Sequence, residues 1–300
     1  MRACVLTRYG GVDALELRDM PEPKPGPGSV KVRISASSLN PIDWKIRNGA
    51  VKGAFPVQFP AILGFDASGE VVELGEKASG FSVGDKVLGL IRHGEAEFAT
   101  AAVEGLAKVP SGLTVVDAAA LPLVGLTGTQ LLEEAVAPKR GDLVLVTGAL
   151  GGLGRCAVHA ALKLGVRVIA GVRKAQVSEA SALGVERVVA LDDAAAVAAL
   201  PMLQGIADTV GGDVVASLLP KLAKDGTLGS AVGEPPGAKE RGIRVRAIHT
   251  RPDSKRLAAL AADMAKGDLV LPIIGRFPLA QVREAFRAAE GGHGKVLLTL

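Results

Sequence analysis

The amino-acid sequence predicts an α/β protein in two parts, a β-rich, barrel-like domain and a doubly wound parallel sheet. Three observations carry that expectation. The chain has 300 residues, too many for one compact core and comfortable for two. Up to about residue 110, short apolar or alternating runs stand between Pro- and Gly-rich stretches with no regular helical pattern. Further on, strand and helix patterns alternate, and the strands are nearly all apolar, as a parallel sheet covered on both faces requires.

In the first part, strands are expected at Ala3–Leu6, Ser29–Ala36, Ala67–Glu73 and Lys86–Leu90, with Pro21–Gly28 as a connecting stretch and Gly84-Asp85 as a turn. An Ala-rich helical stretch opens at Asp117–Leu121 and runs, broken at Pro122, to about Glu134. The strands Leu143–Thr147, Val166–Ala170, Arg187–Ala190, Ile206–Val210 and Thr227–Val232 then alternate with helices Leu153–Leu164, Ala175–Leu183, one capped by Asp192, and Asp213–Ala223. Strand Ile243–Ile248 and helix Ser254–Lys266 complete the series. The tail has strand Leu269–Ile274, helix Leu279–Ala289 and strand Lys295–Leu298; by pattern it fits either part.

Composition excludes several classes of function. Two cysteines, Cys4 and Cys156, cannot build a disulfide framework or a cysteine-based zinc site. Lys+Arg 35 against Asp+Glu 31 leaves a net charge of +4, without a basic block for nucleic acid. The alternating Arg241, Arg244 and Arg246 read as an exposed strand face. Ala118–Leu132 is interrupted by Pro122, Gly125 and Gly128, so no membrane span is expected. With no signal-like apolar region ahead of Ala3, the expected compartment is the cytoplasm.

The most informative segment follows strand Leu143–Thr147. It reads Gly148-Ala149-Leu150-Gly151-Gly152-Leu153-Gly154 and leads into a helix. Glycines let the chain turn sharply and bring backbone N–H groups against a pyrophosphate, and the helix N-terminus adds partial positive charge. The second strand ends Gly171-Val172-Arg173-Lys174, with no carboxylate before Glu179. A carboxylate there would hold the ribose hydroxyls of NAD, whereas Arg173 and Lys174 attract a 2′-phosphate, so NADPH is the expected cofactor. Val210-Gly211 and Ala231-Val232-Gly233 end later strands at the edge where an open α/β sheet holds its ligand. A short-chain dehydrogenase is excluded: about 140 residues precede the loop, and the single tyrosine, Tyr9, lacks the partner lysine four residues on.

Seven motifs in order resemble the medium-chain dehydrogenase/reductase superfamily over essentially the whole chain. They are Leu39-Asn40-Pro41-Ile42-Asp43-Trp44-Lys45-Ile46-Arg47 with Gly49, Gly64-Phe65-Asp66 with Gly69, Gly84-Asp85-Lys86-Val87, Ala120 to Thr127, the glycine loop, Asp208 to Gly212, and Gly294-Lys295-Val296. Together they look like the zinc-independent quinone oxidoreductase branch with its NADPH-dependent quinone and alkenal/enone reductases. The resemblance implies a GroES-like catalytic domain, residues 1–120 with 268–300, and a Rossmann domain, residues 121–267. It also implies a homodimer. Zinc-dependent members carry cysteine where this chain has Asn40, and Gly-His-Glu where it has Gly64-Phe65-Asp66. His93, His159, His249 and His293 are scattered, so no metal is expected.

Without a Lewis acid, the reactions left are those whose charge is already delocalised: hydride transfer to a quinone, or to the C=C bond of an α,β-unsaturated carbonyl. Asn40 and Lys45 are the candidate catalytic residues, to polarise the carbonyl or hold the nicotinamide ribose and phosphates; each is read equally well as structural. Asp43 is expected to orient their loop, Trp44 and Phe65 to wall an apolar substrate pocket, and Cys156 to be buried and inert. The resemblance adds Thr127 near the nicotinamide and Lys295 among the cofactor contacts. Two other readings stand beside this one: a one-electron quinone reductase, and a non-catalytic NADPH-binding sensor or moonlighting structural or RNA-binding protein. The loop Ile91–Glu97 lacks the tyrosine that many relatives place there, which leaves solvent or Lys45 as proton source.

Overall fold

The computed structural model describes residues 1–292 and 294–300. It divides into two compact units, Met1–Leu123 with Pro252–Leu300, and Val124–Arg251. In chain order the strands are β1 (Arg2–Leu6), β2 (Leu15–Asp19), β3 (Ser29–Leu39), β4 (Ala61–Ile62), β5 (Ala67–Leu74), β6 (Lys86–Gly89), β7 (Phe98–Ala102), β8 (Leu106–Lys108), β9 (Leu143–Thr147), β10 (Arg167–Val172), β11 (Arg187–Ala190), β12 (Leu203–Asp208), β13 (Leu222–Ser230), β14 (Val245–Ala247), β15 (Ile273–Pro278) and β16 (Lys295–Thr299). The α-helices are α1 (Pro41–Arg47), α2 (Val115–Ala118), α3 (Pro122–Gln130), α4 (Gly152–Lys163), α5 (Val177–Ala180), α6 (Ala194–Ala198), α7 (Gly212–Ala216), α8 (Ser254–Lys266) and α9 (Val282–Gly291).

In the first unit, one sheet has the order β15-β16-β3-β5-β6-β8, with β7 also paired to β3, and a smaller one has the order β2-β1-β4. Strand β3 shows why it forms. Val30, Val32 and Ile34 alternate into the core, while Lys31 and Arg33 face outward and pair with Glu73 and Glu70. The tail belongs here, because β16 runs antiparallel to β3 and parallel to β15. Helix α8 belongs here too, although it was expected to close the second domain. Asp253 caps it by accepting from the Arg256 N–H at 2.9 Å, and its buried residues Leu257, Leu260 and Ala261 form one stripe. The helix packs against β8. A periodic stripe says that a face is buried, but not against which unit.

The second unit is a six-stranded sheet in the order β11-β10-β9-β12-β13-β14, with every pair parallel. Counted within the unit this is 3-2-1-4-5-6, the doubly wound order that reverses at the first strand. All five residues of β9 are buried. Several helices are shorter than expected. Residues 174–183 form two 3₁₀ turns around the four-residue α5, and Asp193, not Asp192, caps α6. Residues 213–223 split into α7 and a 3₁₀ turn at Leu219–Lys221, where Pro220 supplies no N–H.

The stretch Val115–Val136 is helical apart from a turn over residues 119–121 before Pro122, runs through Gly125 and Gly128, and ends in a π-helical segment, Leu131–Val136. It is long and apolar enough to cross a membrane by length and composition alone, but 78% of its most apolar window is buried inside the protein. Burial in a core accounts for that composition equally well.

Candidate functional site

In the second unit, the predicted loop residues converge on the C-terminal edge of the sheet. Strand β9 ends at Thr147, Gly148 takes the left-handed conformation at φ +59°, and Gly151 leads into α4. A Cβ on Gly148 would lie 2.6 Å from Oγ1 of Thr209, and one on Gly154 would lie 2.1 Å from the carbonyl oxygen of Gly148. Only glycine fits either position, so the loop folds back on its own helix and leaves that helix end open to a ligand. Ala149 donates to the carbonyl of Gly171 at 3.2 Å, tying the loop to β10. Arg155 donates to the carbonyl of Leu150 and pairs with Glu179 at 2.9 Å.

Asp208, which opens one of the seven motifs but had no role assigned from the sequence, organises this edge. It is fully buried at the end of β12. Its Oδ1 accepts from the hydroxyl of Thr147 and from the N–H groups of Val210 and Gly211, and its Oδ2 accepts from the hydroxyl of Ser230 at 2.7 Å. The Ser230 oxygen in turn accepts from the N–H groups of Val232 and Gly233. One carboxylate therefore fixes the ends of β9, β12 and β13. The loops it holds present Val210 and Val232, 48% and 44% exposed, beside the glycine turn. Valines held outward by a buried network are the apolar contacts a planar ligand would cover. A buried aspartate in Asp-Thr-Val-Gly-Gly at a strand end was the available signal.

At the end of β10, Arg173 is exposed; its N–H donates to the Gln176 side chain at 3.2 Å, and its guanidinium has no ion pair among the described residues. Lys174 is engaged: its N–H donates to Asp192 at 2.7 Å and its ammonium lies 3.7 Å from Asp193. Asp192, expected only as a helix cap, and its neighbour Asp193 thus stand beside Lys174, where a 2′-phosphate is expected. Thr127 is buried, with its hydroxyl bonded to that of Thr250, and Cys156 is fully buried.

In the first unit, Asn40, Asp43, Asp66 and Lys295 form one buried cluster. Asn40 precedes α1, whose first residue is Pro41, and the Asp43 carboxylate accepts from the Asn40 N–H at 2.8 Å. The Asn40 side chain is 2% exposed and fully engaged. Its Nδ2 donates to the carbonyl of Ser38 and to Asp66, and its Oδ1 accepts from Lys295 at 2.7 Å. No polar atom of the amide is left for a substrate carbonyl, so this geometry favours the structural reading of Asn40. Lys295 is likewise turned inward, 5% exposed. Lys45 is exposed on α1 and does not join the cluster.

Burial dominates the acids in this unit. It raises Asp43 to about 7, with the Asp66 charge adding and the Asn40 N–H opposing, and it raises Asp66 to about 6 against the pull of Lys295. Glu95 is buried beside the Cys4 thiol; burial first, then the Asp43 charge, pushes it well above the ordinary range. The neighbouring Cys4 thiol is pushed up by burial and by Glu95.

Phe65 lines a cavity of about 590 Å³ in this unit, together with Phe55, Val57, Ile62, Arg92 and His93. Trp44, its expected companion, is not among the lining residues; it packs on the apolar cluster around Phe286, as Phe65 also does. A second cavity of about 630 Å³, in the other unit, is lined by Arg241, Arg244 and Arg246 and includes no glycine-loop residue. Among the described residues no group of three or more His, Cys, Asp or Glu could hold a metal ion. His293 lies outside the described residues.

A 3-2-1-4-5-6 parallel sheet with a glycine turn at its reversal point, carried with a mainly antiparallel β unit, is the doubly wound architecture of dinucleotide-binding proteins. Comparison with known proteins narrows the class. The Alcohol dehydrogenase GroES-like domain family matches residues 26–129, and the Zinc-binding dehydrogenase family matches residues 183–298. The chain is 37% identical over 198 residues to the chloroplast envelope quinone oxidoreductase homolog of Arabidopsis thaliana, covering 63% of this chain and 60% of that one. Among solved structures it is similar to the quinone oxidoreductase from Coxiella burnetii, with TM-score 0.91, 29% identity and 100% and 99% of the two chains covered. A mycobacterial quinone oxidoreductase is 31% identical over the whole of both chains, with TM-score 0.83. Mycobacterial Rv1454c complexed with NADPH is 29% identical over the whole of both chains, with TM-score 0.85. The chain belongs to the medium-chain dehydrogenase/reductase superfamily, in its quinone oxidoreductase-like family. Its match spans about three-fifths of the length of the Arabidopsis relative.

Proposed function

We propose that this protein is an NADPH-dependent reductase that transfers hydride to a quinone or to the C=C bond of an α,β-unsaturated carbonyl, without zinc. The observation that carries this reading is the Asp208-organised edge, where the glycine turn, an open helix N-terminus and two outward valines meet. The backbone N–H groups of residues 148–154 would hold the pyrophosphate, Val210 and Val232 would flank the nicotinamide, and Arg173 would meet the 2′-phosphate. The quinone oxidoreductase relatives and the NADPH complex of a similar protein support the same cofactor and acceptor class.

Bound NADPH supplies the hydride, and a proton from solvent completes the reaction: acceptor, NADPH and a proton give reduced acceptor and NADP⁺. The negative charge spreads over a conjugated oxygen, so donors on the protein suffice to stabilise it. Asn40 and Lys295 hold the start of α1 and act as positioning residues. A zinc mechanism would need ligands that Asn40 and Phe65 do not provide. We further propose a homodimer working in the cytoplasm, which sizing with light scattering and fractionation would test.

The test is NADPH consumption with 1,4-naphthoquinone, methyl vinyl ketone and acrolein, each with and without chelator. Oxidation of NADPH by at least one acceptor is expected, unchanged by chelator. No turnover with any acceptor removes the reductase reading, and inhibition by chelator removes the metal-free one.

A further inference from the structure

The cavity that holds Phe65 is apolar except at one edge. Its walls are Ile46, Phe55, Val57, Ile62, Leu63 and Phe65, and the Phe55 and Phe65 rings meet edge to face at 6.3 Å. Gln58, Arg92 and His93 are the only lining residues with polar side chains beyond the backbone, and no carboxylate lines the cavity. Among the described residues neither Arg92 nor His93 has a side-chain hydrogen bond or ion pair. Most other surface arginines of this unit do, including Arg8, Arg18, Arg33 and Arg276. An unneutralised guanidinium and an unpartnered imidazole at the rim of an aromatic-walled cavity have room for a ligand that is flat, apolar and negatively charged at one end.

The backbone fixes this edge at a cost. His93 sits at φ +62°, one of three non-glycine residues with positive φ among the described residues, a region few non-glycine residues adopt. Its N–H donates to the carbonyl of Gly64 at 2.9 Å, and the Glu95 N–H donates to that of Leu63 at 3.2 Å. Gly64 is itself at φ +99°, and a Cβ there would lie 2.9 Å from the Gly94 nitrogen. The segment 92–95 is thus pinned backbone to backbone on the segment that carries Phe65, and the strained residue is the one at the rim.

We propose that Arg92 and His93 form the oxyanion-holding edge of the acceptor site: His93 donates a hydrogen bond to the oxygen that becomes negative on reduction, and Arg92 supplies the balancing charge. This rests on the reductase reading above and adds to it which residues meet the charge. His93 is exposed at the rim; partial desolvation, and then the Arg92 charge, hold its imidazole below its ordinary value, so at neutral pH it is a neutral N–H donor beside the Arg92 guanidinium. The electron pair arrives with the hydride, the oxyanion is held at this edge, and the proton that neutralises it comes from water.

Two measurements test the proposal with separate outcomes. Binding of 2-hydroxy-1,4-naphthoquinone, an anion at neutral pH, is read by quenching of Trp44, the single tryptophan. His93→Gly relieves the positive-φ strain, so its folding stability should hold or rise. It should nonetheless bind the anion about 10-fold more weakly and lose about 100-fold in kcat/KM, the usual cost of one oxyanion donor. His93→Asn tolerates the same backbone and keeps an N–H donor, so it should recover part of the loss. Arg92→Ala should weaken binding of the anion but not of neutral 1,4-naphthoquinone. Wild-type affinity for the anion in both His93→Gly and Arg92→Ala would overturn the proposal. Failure of the wild type to oxidise NADPH with any acceptor, with anion binding still sensitive to these variants, would instead overturn the reductase reading and leave an anion site at this edge.

Discussion

Lys295 donates a 2.7 Å hydrogen bond to Oδ1 of Asn40, and both side chains are almost completely buried. The bond joins the last strand of the chain to the start of α1, in a cluster whose other members are the carboxylates of Asp43 and Asp66. The Lys295 ammonium pulls both acids down, against the effect of their burial.

Lys295→Met should therefore cost stability, not chemistry alone. Removing one partner of a buried charge cluster typically costs about 3–5 kcal/mol. Urea denaturation at pH 7.5 should show a loss of that order, and at pH 5, where Asp43 and Asp66 are protonated, the loss should shrink. An equal loss at both pH values would show that Lys295 acts by packing and not by charge.

Asp208→Ala should loosen the edge that holds the glycine turn. The N–H groups of Val210 and Gly211 and the hydroxyl of Ser230 would lose their acceptor, at about 1–3 kcal/mol for each group left buried and unpaired. NADPH affinity, followed by nucleotide fluorescence, should fall at least 10-fold. Asp208→Asn, which keeps one acceptor oxygen, should lie between.

Stability should fall as pH rises through neutrality. The folded-state values of Asp66 and Asp43, about 6 and about 7, lie above those of the unfolded chain, so between roughly pH 4 and pH 7 the folded state binds protons that the unfolded state has lost. Each such group contributes a decline of up to about 1.4 kcal/mol per pH unit within its window. Glu95 extends the decline to higher pH, and Glu95→Gln should flatten that upper part. Denaturation midpoints that stay level or rise from pH 5 to pH 8 would contradict the assignment.

Arg173→Ala should raise the KM for NADPH about 10-fold, one charge-assisted contact, and leave that for NADH nearly unchanged. Asp193→Asn should act the other way, because it releases Lys174 from a carboxylate 3.7 Å away and removes a charge that repels the 2′-phosphate. Steady-state kinetics with both nucleotides would decide. A parallel change in both would mean that Arg173 does not read the 2′-phosphate.

Local signals in the sequence predicted the second unit well. Apolar strands such as Leu143–Thr147 and the Gly148–Gly154 turn depend on neighbours close in the chain, and they appear where expected. The position of α8 was not legible, because its Leu257–Leu260–Ala261 stripe carries no address. The roles of Asn40 and Lys295 were likewise hidden. Their partners lie 255 residues apart, and only the folded chain shows that they satisfy each other. Asp43 and Lys45 differ by two positions on one helix, yet one is fully buried and the other exposed, a difference that composition does not encode.

The insertion of β16 beside β3 has a consequence for the order of events during synthesis. Leu39 pairs with Val296, and everything between them must be made before that edge of β3 can be covered. At about 5–20 residues per second, the wait is on the order of 10–50 s, during which an apolar strand and the Asn40 amide stand without their final partners. The second unit is one uninterrupted segment, Val124–Arg251, and has no such wait. On the ribosome the second unit can mature first, while the first unit stays open to chaperones, or to wrong strand partners, until β16 emerges.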